Sequence, residues 1–227
     1  HPGYWTLFQT WLEVRELLPL RPLPAFLPVR NTDELYELWT TLAFPQTLER
    51  LLGCPLIEQL RVEKGWFADL PPGELARVPL GDRELVVHRE PAYAFGGEGA
   101  VRKLVPGRPW RPDIVLEVRA GGQPIALHLF DAKHSLRSGY PDGAPLPLFD
   151  EVWLKYVDSI GRADGAPLVE SCWVIYPGRA PSALLRTPSM LGPAWPGGRP
   201  RGGCVPLVPG REGALAQTLS VLLDQER

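Results

Sequence analysis

Lysine is scarce in this chain. Of its 227 residues only Lys64, Lys103, Lys133 and Lys155 carry an ammonium, and the rest of the 24 basic residues are arginine. Cysteine is scarcer, with Cys54, Cys172 and Cys204 scattered singly. No two of them form a Cys-x-x-Cys pair, which argues against zinc and iron–sulfur sites. A sparse, odd set also argues against a secreted scaffold built on disulfides, so three reduced, buried thiols are expected. No apolar run is long enough to span a bilayer and no signal peptide is visible, so a cytoplasmic chain without a membrane partner is expected. There is no global excess of positive charge; the net charge is −2, and any contact with a polyanion must come from a local patch. No internal repeat and no Walker motif occur.

What is present suits a folded chain. Hydrophobic residues make up 44% and charged residues 22%, which excludes wholesale disorder. The length fits one globular domain, or one domain with an added helical lobe. The chain opens on His1-Pro2-Gly3 and is expected to be a domain of a larger protein. The expected division is an N-terminal helix and proline-rich connector over residues 1–30, then a main domain over residues 31–227.

The stretch from Arg111 to His134 organises the main domain. Ile114 to Val118 and Ile125 to Phe130 read as the arms of a β-hairpin, with Ile114, Leu116 and Val118 on one face. Ala120-Gly121-Gly122-Gln123 between them suits a tight reversal, because glycine accepts positive φ. Asp113 opens the first arm; Asp131 and Lys133 close the second. In an antiparallel pair these ends are neighbours, and alternation places Asp131 and Lys133 on one face with Ala132 turned away. Two carboxylates and one ammonium are thus expected in one cluster. Hard oxygen ligands of this kind suit Mg²⁺ or Mn²⁺, which also accepts phosphate oxygens. A metal there can lower the pKa of bound water, and a nearby lysine can orient that water or stabilise developing charge. Hydrolysis of a phosphodiester is the chemistry such a cluster fits. The plainer alternative is a surface hairpin with a salt bridge.

Arg111-Pro112-Asp113 followed by Asp131-Ala132-Lys133 resembles the core of the PD-(D/E)XK nuclease superfamily. More narrowly, the chain resembles the McrC-like nucleases of prokaryotic restriction and defence systems. That likeness rests on Leu35-Tyr36-Glu37-Leu38-Trp39, the two hairpin motifs, Tyr156-Val157-Asp158-Ser159-Ile160 and Val174-Ile175-Tyr176-Pro177-Gly178. Val205 to Gly210 is a fainter echo. The resemblance implies an α/β fold with a restriction-endonuclease-like central mixed β-sheet flanked by helices. It implies a Mg-dependent DNA endonuclease, with Asp113 and Asp131 as metal ligands and Lys133 at the attacking water. It adds Glu37 as a third acid, with Glu34, three residues earlier, as the rival. It also implies service in a defence system beside an NTPase motor, which here must be a separate polypeptide. Tyr156 matches a tyrosine of the same families, but Val152 and Trp153 stand where a polar residue is usual, so Tyr156 is either a site residue or a packing one. A module that has lost catalysis and only binds nucleic acid or a protein, or an RNase, are the competing readings.

The remaining elements follow from pattern. Tyr4 to Leu18 reads as a helix and Leu20 to Val29 as a proline-spaced connector. Asn31-Thr32-Asp33 offers N-caps for a helix that runs toward Leu52, with Pro45 expected to kink or split it and Gly53 to end it. Ile57 to Glu63, Leu75 to Leu80 and Glu84 to Glu90 read as strands of a meander flanking the core. A loop from Gly96 to Trp110 brings Arg102, Lys103, Arg108 and Arg111 just ahead of Asp113, where phosphate contact and a merely solvated loop are the two readings. After the hairpin, His134, Arg137 and Tyr140 can approach a substrate. Asp150 to Ile160 and Arg211 to Leu223 read as helices, Leu168 to Tyr176 as a buried strand, and Arg179 to Gly203 as an irregular loop.

Overall fold

The computed structural model describes residues 32–56, 72–134, 146–157, 159–178, 183–185 and 202–226. The chain divides into two units, His1–Arg30 with Val62–Leu70 and Asn31–Arg61 with Pro71–Arg227. Every described residue belongs to the second. The expected helix from Tyr4, the connector from Leu20 and the strand from Ile57 lie outside the described residues.

The described elements are helix α1 (Thr32–Leu52), strands β1 (Gly73–Leu80), β2 (Arg83–Arg89), β3 (Val101–Lys103), β4 (Ile114–Ala120) and β5 (Gln123–Ala132), helix α2 (Leu146–Tyr156), strands β6 (Ile160–Arg162), β7 (Val169–Tyr176), β8 (Ala183–Leu185) and β9 (Gly202–Pro206), and helix α3 (Gly213–Glu226). Seven strands form one mixed sheet in the order β1-β2-β4-β5-β7-β9-β8. The β5–β7 and β7–β9 pairs are parallel; β1–β2, β2–β4, β4–β5 and β8–β9 are antiparallel. This is the α/β, restriction-endonuclease-like architecture expected from the sequence. The first two strands do not merely flank the core: they continue the sheet of the β4–β5 hairpin. β1 lies at its edge, where Pro79, lacking an N–H, breaks no ladder bond on a further strand.

The hairpin forms as the Gly-Gly pair dictates. Gly121 and Gly122 have φ of 56° and 76°, and Ala120 faces Gln123 across them. Two consecutive positive-φ residues make a reversal whose twist matches that of the strands. β4 is buried along five residues from Ile114, because the sheet is covered on both faces there. Alternation then sorts the side chains. Ile114, Leu116, Val118, Phe130 and Ala132 enter a core shared with α1 and α3. Val115, Leu127 and Leu129 enter a second core with Phe149, Val152, Trp153 and Tyr156 of α2. Phe130 stacks on Trp173 at 6.4 Å and meets Phe44 edge-on at 4.7 Å.

α1 continues through Pro45 as one helix. Pro45 deprives the Thr41 carbonyl of its donor, but Phe44 and Leu48 on either side are fully buried, and that burial carries the helix across the gap. Gly53 ends it with φ 66° and an N–H bonded to Glu49 O at 2.8 Å. α2 is shifted from the expected range and stops at Tyr156; Ile160 instead begins β6, which pairs with β3 inside the stretch expected to be loop. Part of the stretch after Arg179 is likewise regular, as β8 and the start of β9.

A buried polar chain ties α3 to the sheet. Trp173 Nε1 donates to Ser171 Oγ at 2.8 Å, and Ser171 Oγ lies 2.8 Å from His128 Nδ1. His128 Nε2 is 3.3 Å from Glu226 Oε1, and Arg83 reaches Glu226 Oε2 at 2.9 Å. Burial alone would raise the Glu226 pKa, but His128 and Arg83 together bring it below its ordinary value.

Candidate functional site

Ile114 faces Phe130 in the ladder, so the next residues outward, Asp113 and Asp131, are cross-strand neighbours at the open end of the hairpin. Asp113 Oδ2 accepts the Ala132 N–H at 2.6 Å across the pair. Lys133 lies just beyond β5, but its N–H still bonds Ile175 O at 2.8 Å. The strand geometry therefore persists and returns its side chain to the Asp131 face. Lys133 Nζ sits 2.5 Å from Asp131 Oδ2. Apart from this ion pair, Oδ2 is buried and has no hydrogen-bond donor among the described residues.

Asp131 points toward the second core, where α2 crosses. Tyr156, at the end of α2 and fully buried, places its hydroxyl 3.2 Å from Asp131 Oδ1 and 3.2 Å from Arg111 O. It has one proton for two acceptors, and the charged one binds it more strongly. Burial, followed by the charges of Asp131 and Asp113, pushes the phenol pKa well up, so it remains a donor.

The cluster is electrostatically loaded. Burial and then the Asp131 charge hold the Asp113 pKa well above the usual carboxylate range, against the pull of Lys133. Burial works to lower the Lys133 pKa, but Asp131 and Asp113 more than offset it, so the ammonium titrates above its ordinary value. Lys133 is therefore a fixed cation, able to orient a water or stabilise charge and unsuited to removing a proton. Glu37 approaches from α1. Burial raises its pKa, and its charged neighbours are Lys133, Asp131, Glu90 and Asp33. Glu34 is exposed.

Among the described residues no three His, Cys, Asp or Glu side chains are grouped to hold a metal ion. Glu37 reaches the cluster from α1, and its charge acts on Asp113 and Lys133. α1 packs on the opposite face of the sheet from the one Asp131 points to. The two-aspartate pair nonetheless fits a divalent cation. It offers hard oxygens, one of them a buried Asp131 oxygen beside the Lys133 ammonium, and Mg²⁺ binds through as few as one or two carboxylates plus water and phosphate.

The other expected contacts divide. Arg111 is exposed beside Asp113. Arg102 donates to the Ala163 carbonyl. Lys103 is only 3% exposed and gives its ammonium to Pro106 O at 3.2 Å and Arg108 O at 2.9 Å, so the phosphate contact expected of it is replaced by an internal one. Tyr156, fully buried, touches Asp131 and is not placed to meet nucleic acid. His134 Nδ1 is 3.1 Å from Asp33 Oδ1, with its ring 5.5 Å from that of Tyr36. Arg137 and Tyr140 lie outside the described residues.

Glu90 was not visible as a site residue from sequence. It takes a left-handed conformation, φ 45°; its N–H bonds Asp113 O at 2.9 Å and its charge acts on Glu37. Nothing in Arg89-Glu90-Pro91 signals this, because the proximity comes from β2 lying beside β4.

Neither the curated proteins nor the solved structures contain a match to the chain. A family model described as the PD-(D/E)XK nuclease superfamily matches residues 34–142. That span runs from the start of α1 through Glu37, Asp113, Asp131 and Lys133, and stops before Tyr156. The likeness to the PD-(D/E)XK nuclease superfamily is carried by this segment of the chain.

Proposed function

We propose that this protein is a metal-dependent endonuclease that hydrolyses DNA phosphodiester bonds. The observation that carries the reading is the meeting of Asp113, Asp131 and Lys133 at one end of a hairpin, with a buried Asp131 oxygen whose neighbour is the Lys133 ammonium. Asp113 and Asp131 would hold Mg²⁺ or Mn²⁺. When bound, such an ion supplies a more acidic water and charge neutralisation on the phosphate.

The chain's own residues do the rest. The Ala132 N–H fixes one Asp113 oxygen, and the Tyr156 hydroxyl fixes one Asp131 oxygen, so each carboxylate has a set orientation before substrate arrives. Lys133, permanently charged, orients the attacking water and stabilises the negative charge that grows on the phosphate. Glu37, with its pKa raised, is the third acid of the site and is suited to accept a hydrogen bond from that water.

The defence role rests on the sequence likeness to McrC-like nucleases, carried by Leu35 to Trp39 and the hairpin motifs. In that role the nuclease domain spans residues 31–227, residues 1–30 form an accessory segment, and a separate NTPase motor delivers DNA in the cytoplasm. No helix among the described residues is long and apolar enough to cross a membrane.

Incubation of the protein with plasmid, single-stranded DNA and RNA tests the reading. Cleavage of DNA is expected with Mg²⁺ or Mn²⁺ and none in EDTA, with Ca²⁺ supporting binding more than turnover. Cleavage confined to RNA would make it an RNase. Metal-independent cutting would remove the metal dependence, and no cutting of any polymer would remove the nuclease assignment.

A further inference from the structure

The buried Lys103 turns the loop ahead of Asp113 into a built object. Its ammonium lies within a turn formed by residues 103–108, bonded to the carbonyls of Pro106 and Arg108, and 4.0 Å from the centre of the Trp110 ring. Gly107, at φ 124°, is the residue that leaves room: a Cβ there would sit 3.0 Å from Lys103 Nζ. An ammonium buried this deeply is costly unless its donors are used, and here carbonyls and an aromatic face take them. The rest of the loop is tied down equally well. Tyr93 and Trp110 exchange backbone bonds at 2.9 and 3.0 Å, Leu104 N bonds Ser159 O at 2.8 Å, and β3 pairs with β6.

On this frame two guanidinium groups face solvent. Arg108 and Arg111 are exposed, and neither has an ion-pair or hydrogen-bond partner for its side chain among the described residues. Their backbones are the fixed points of the loop. The Arg108 carbonyl is held by Lys103, and the Arg111 carbonyl lies 3.2 Å from the same Tyr156 hydroxyl that approaches Asp131. The loop's charge complements a polyanion: one acid, Glu98, stands among four basic residues, Arg102, Lys103, Arg108 and Arg111. Phe95, 54% exposed, lies on the same loop, bridged to Lys103.

We propose that the loop is a preformed binding rim for the DNA backbone, in which Arg108 and Arg111 contact phosphates and Lys103 is the internal pin that positions them. The proposal rests on the nuclease reading for its substrate, and gives that substrate a fixed line of approach two residues from Asp113. A phosphate contact from a preorganised arginine loses less side-chain entropy than one from a floppy loop. Lys103 here is a positioning residue; it touches no substrate.

The test is DNA affinity against salt, measured by fluorescence anisotropy with a labelled DNA oligonucleotide in the Asp131→Asn background, where cleavage does not interfere. Each released counterion contributes to the slope of log affinity on log salt. Arg108→Ala and Arg111→Ala should each reduce that slope by about 1 and weaken binding at every sequence alike. Lys103→Met should lower it by about as much as the two together, because Lys103 is the internal pin of both. Both arginines are exposed, so their replacement does not threaten folding. Unchanged slopes in the two arginine variants would overturn the rim, even if the wild type cuts DNA. A reduced slope in a protein that cuts nothing would keep the rim and remove the nuclease reading instead. Lys103→Met with a wild-type slope would show that the rim needs no pin.

Discussion

Asp131→Asn should abolish DNA cleavage, with a loss of at least about a thousandfold, while the fold survives. Loss of metal-assisted charge stabilisation is worth several kcal/mol, and each 1.36 kcal/mol is roughly tenfold in rate. The side chain keeps its shape, so an amide oxygen can still accept the Tyr156 hydroxyl that lies 3.2 Å from Oδ1. What disappears is the negative charge beside Lys133 and one anionic oxygen of the metal site. Lys133→Ala should be as inactive but for a different reason. It removes the cation and leaves both aspartates, so divalent-metal binding should persist or tighten where turnover is lost. Calorimetric titration with Mn²⁺ beside a plasmid assay separates the two. Cleavage by Asp131→Asn at the wild-type rate would mean the activity belongs to a contaminant.

The second large effect is on stability. Burial and the neighbouring Asp131 raise the Asp113 pKa. Below the unfolded-state value, near 3.9, both states are protonated and the group contributes nothing. As pH rises past that value the unfolded chain ionises first, so the folded state loses stability until its own raised pKa is passed. The metal-free protein should therefore melt at lower temperature at pH 7 than near pH 5, from this group's contribution. Asp113→Asn should flatten that dependence and stabilise the metal-free protein at pH 7 by about 1 kcal/mol, roughly 2–4 °C for a chain of this size. Mn²⁺ should raise the wild-type melting temperature and leave Asp113→Asn nearly unmoved. Melting curves over pH 4 to 8, with and without Mn²⁺, check all three statements. A wild type that gains stability steadily over that range, with Asp113→Asn following it in parallel, would show that Asp113 is not the strained group.

The hairpin and its carboxylates were legible because their determinants are local. Period-two alternation sets which face Asp131 takes, and the Gly121-Gly122 pair sets the register that puts Asp113 opposite it. Contacts made by crossover were not legible. Tyr156 meets Asp131 only because α2 packs on the sheet face to which Asp131 points, and α2 ends there, a turn earlier than its apolar spacing suggests. Lys103 reads as a solvated phosphate ligand in sequence, because burial of a lysine depends on carbonyls that only the folded turn supplies. β3, β6 and β8 are three residues each, too short for alternation to mark. Pro45 does not split α1, for the complementary reason: its local cost is real, but the fully buried Phe44 and Leu48 outweigh it. The assignment of Glu37 over Glu34 came from the family pattern, and the charges around Glu37 are those of the cluster.

The central claim is that Asp113 and Asp131 together form a divalent-metal site, and anomalous scattering from crystals soaked in Mn²⁺ tests it most directly. The expected result is a peak between the two carboxylates, about 2.1 Å from an oxygen of each, absent from crystals of Asp131→Asn. A peak elsewhere on the molecule, or none at a concentration that supports DNA cleavage, would contradict it.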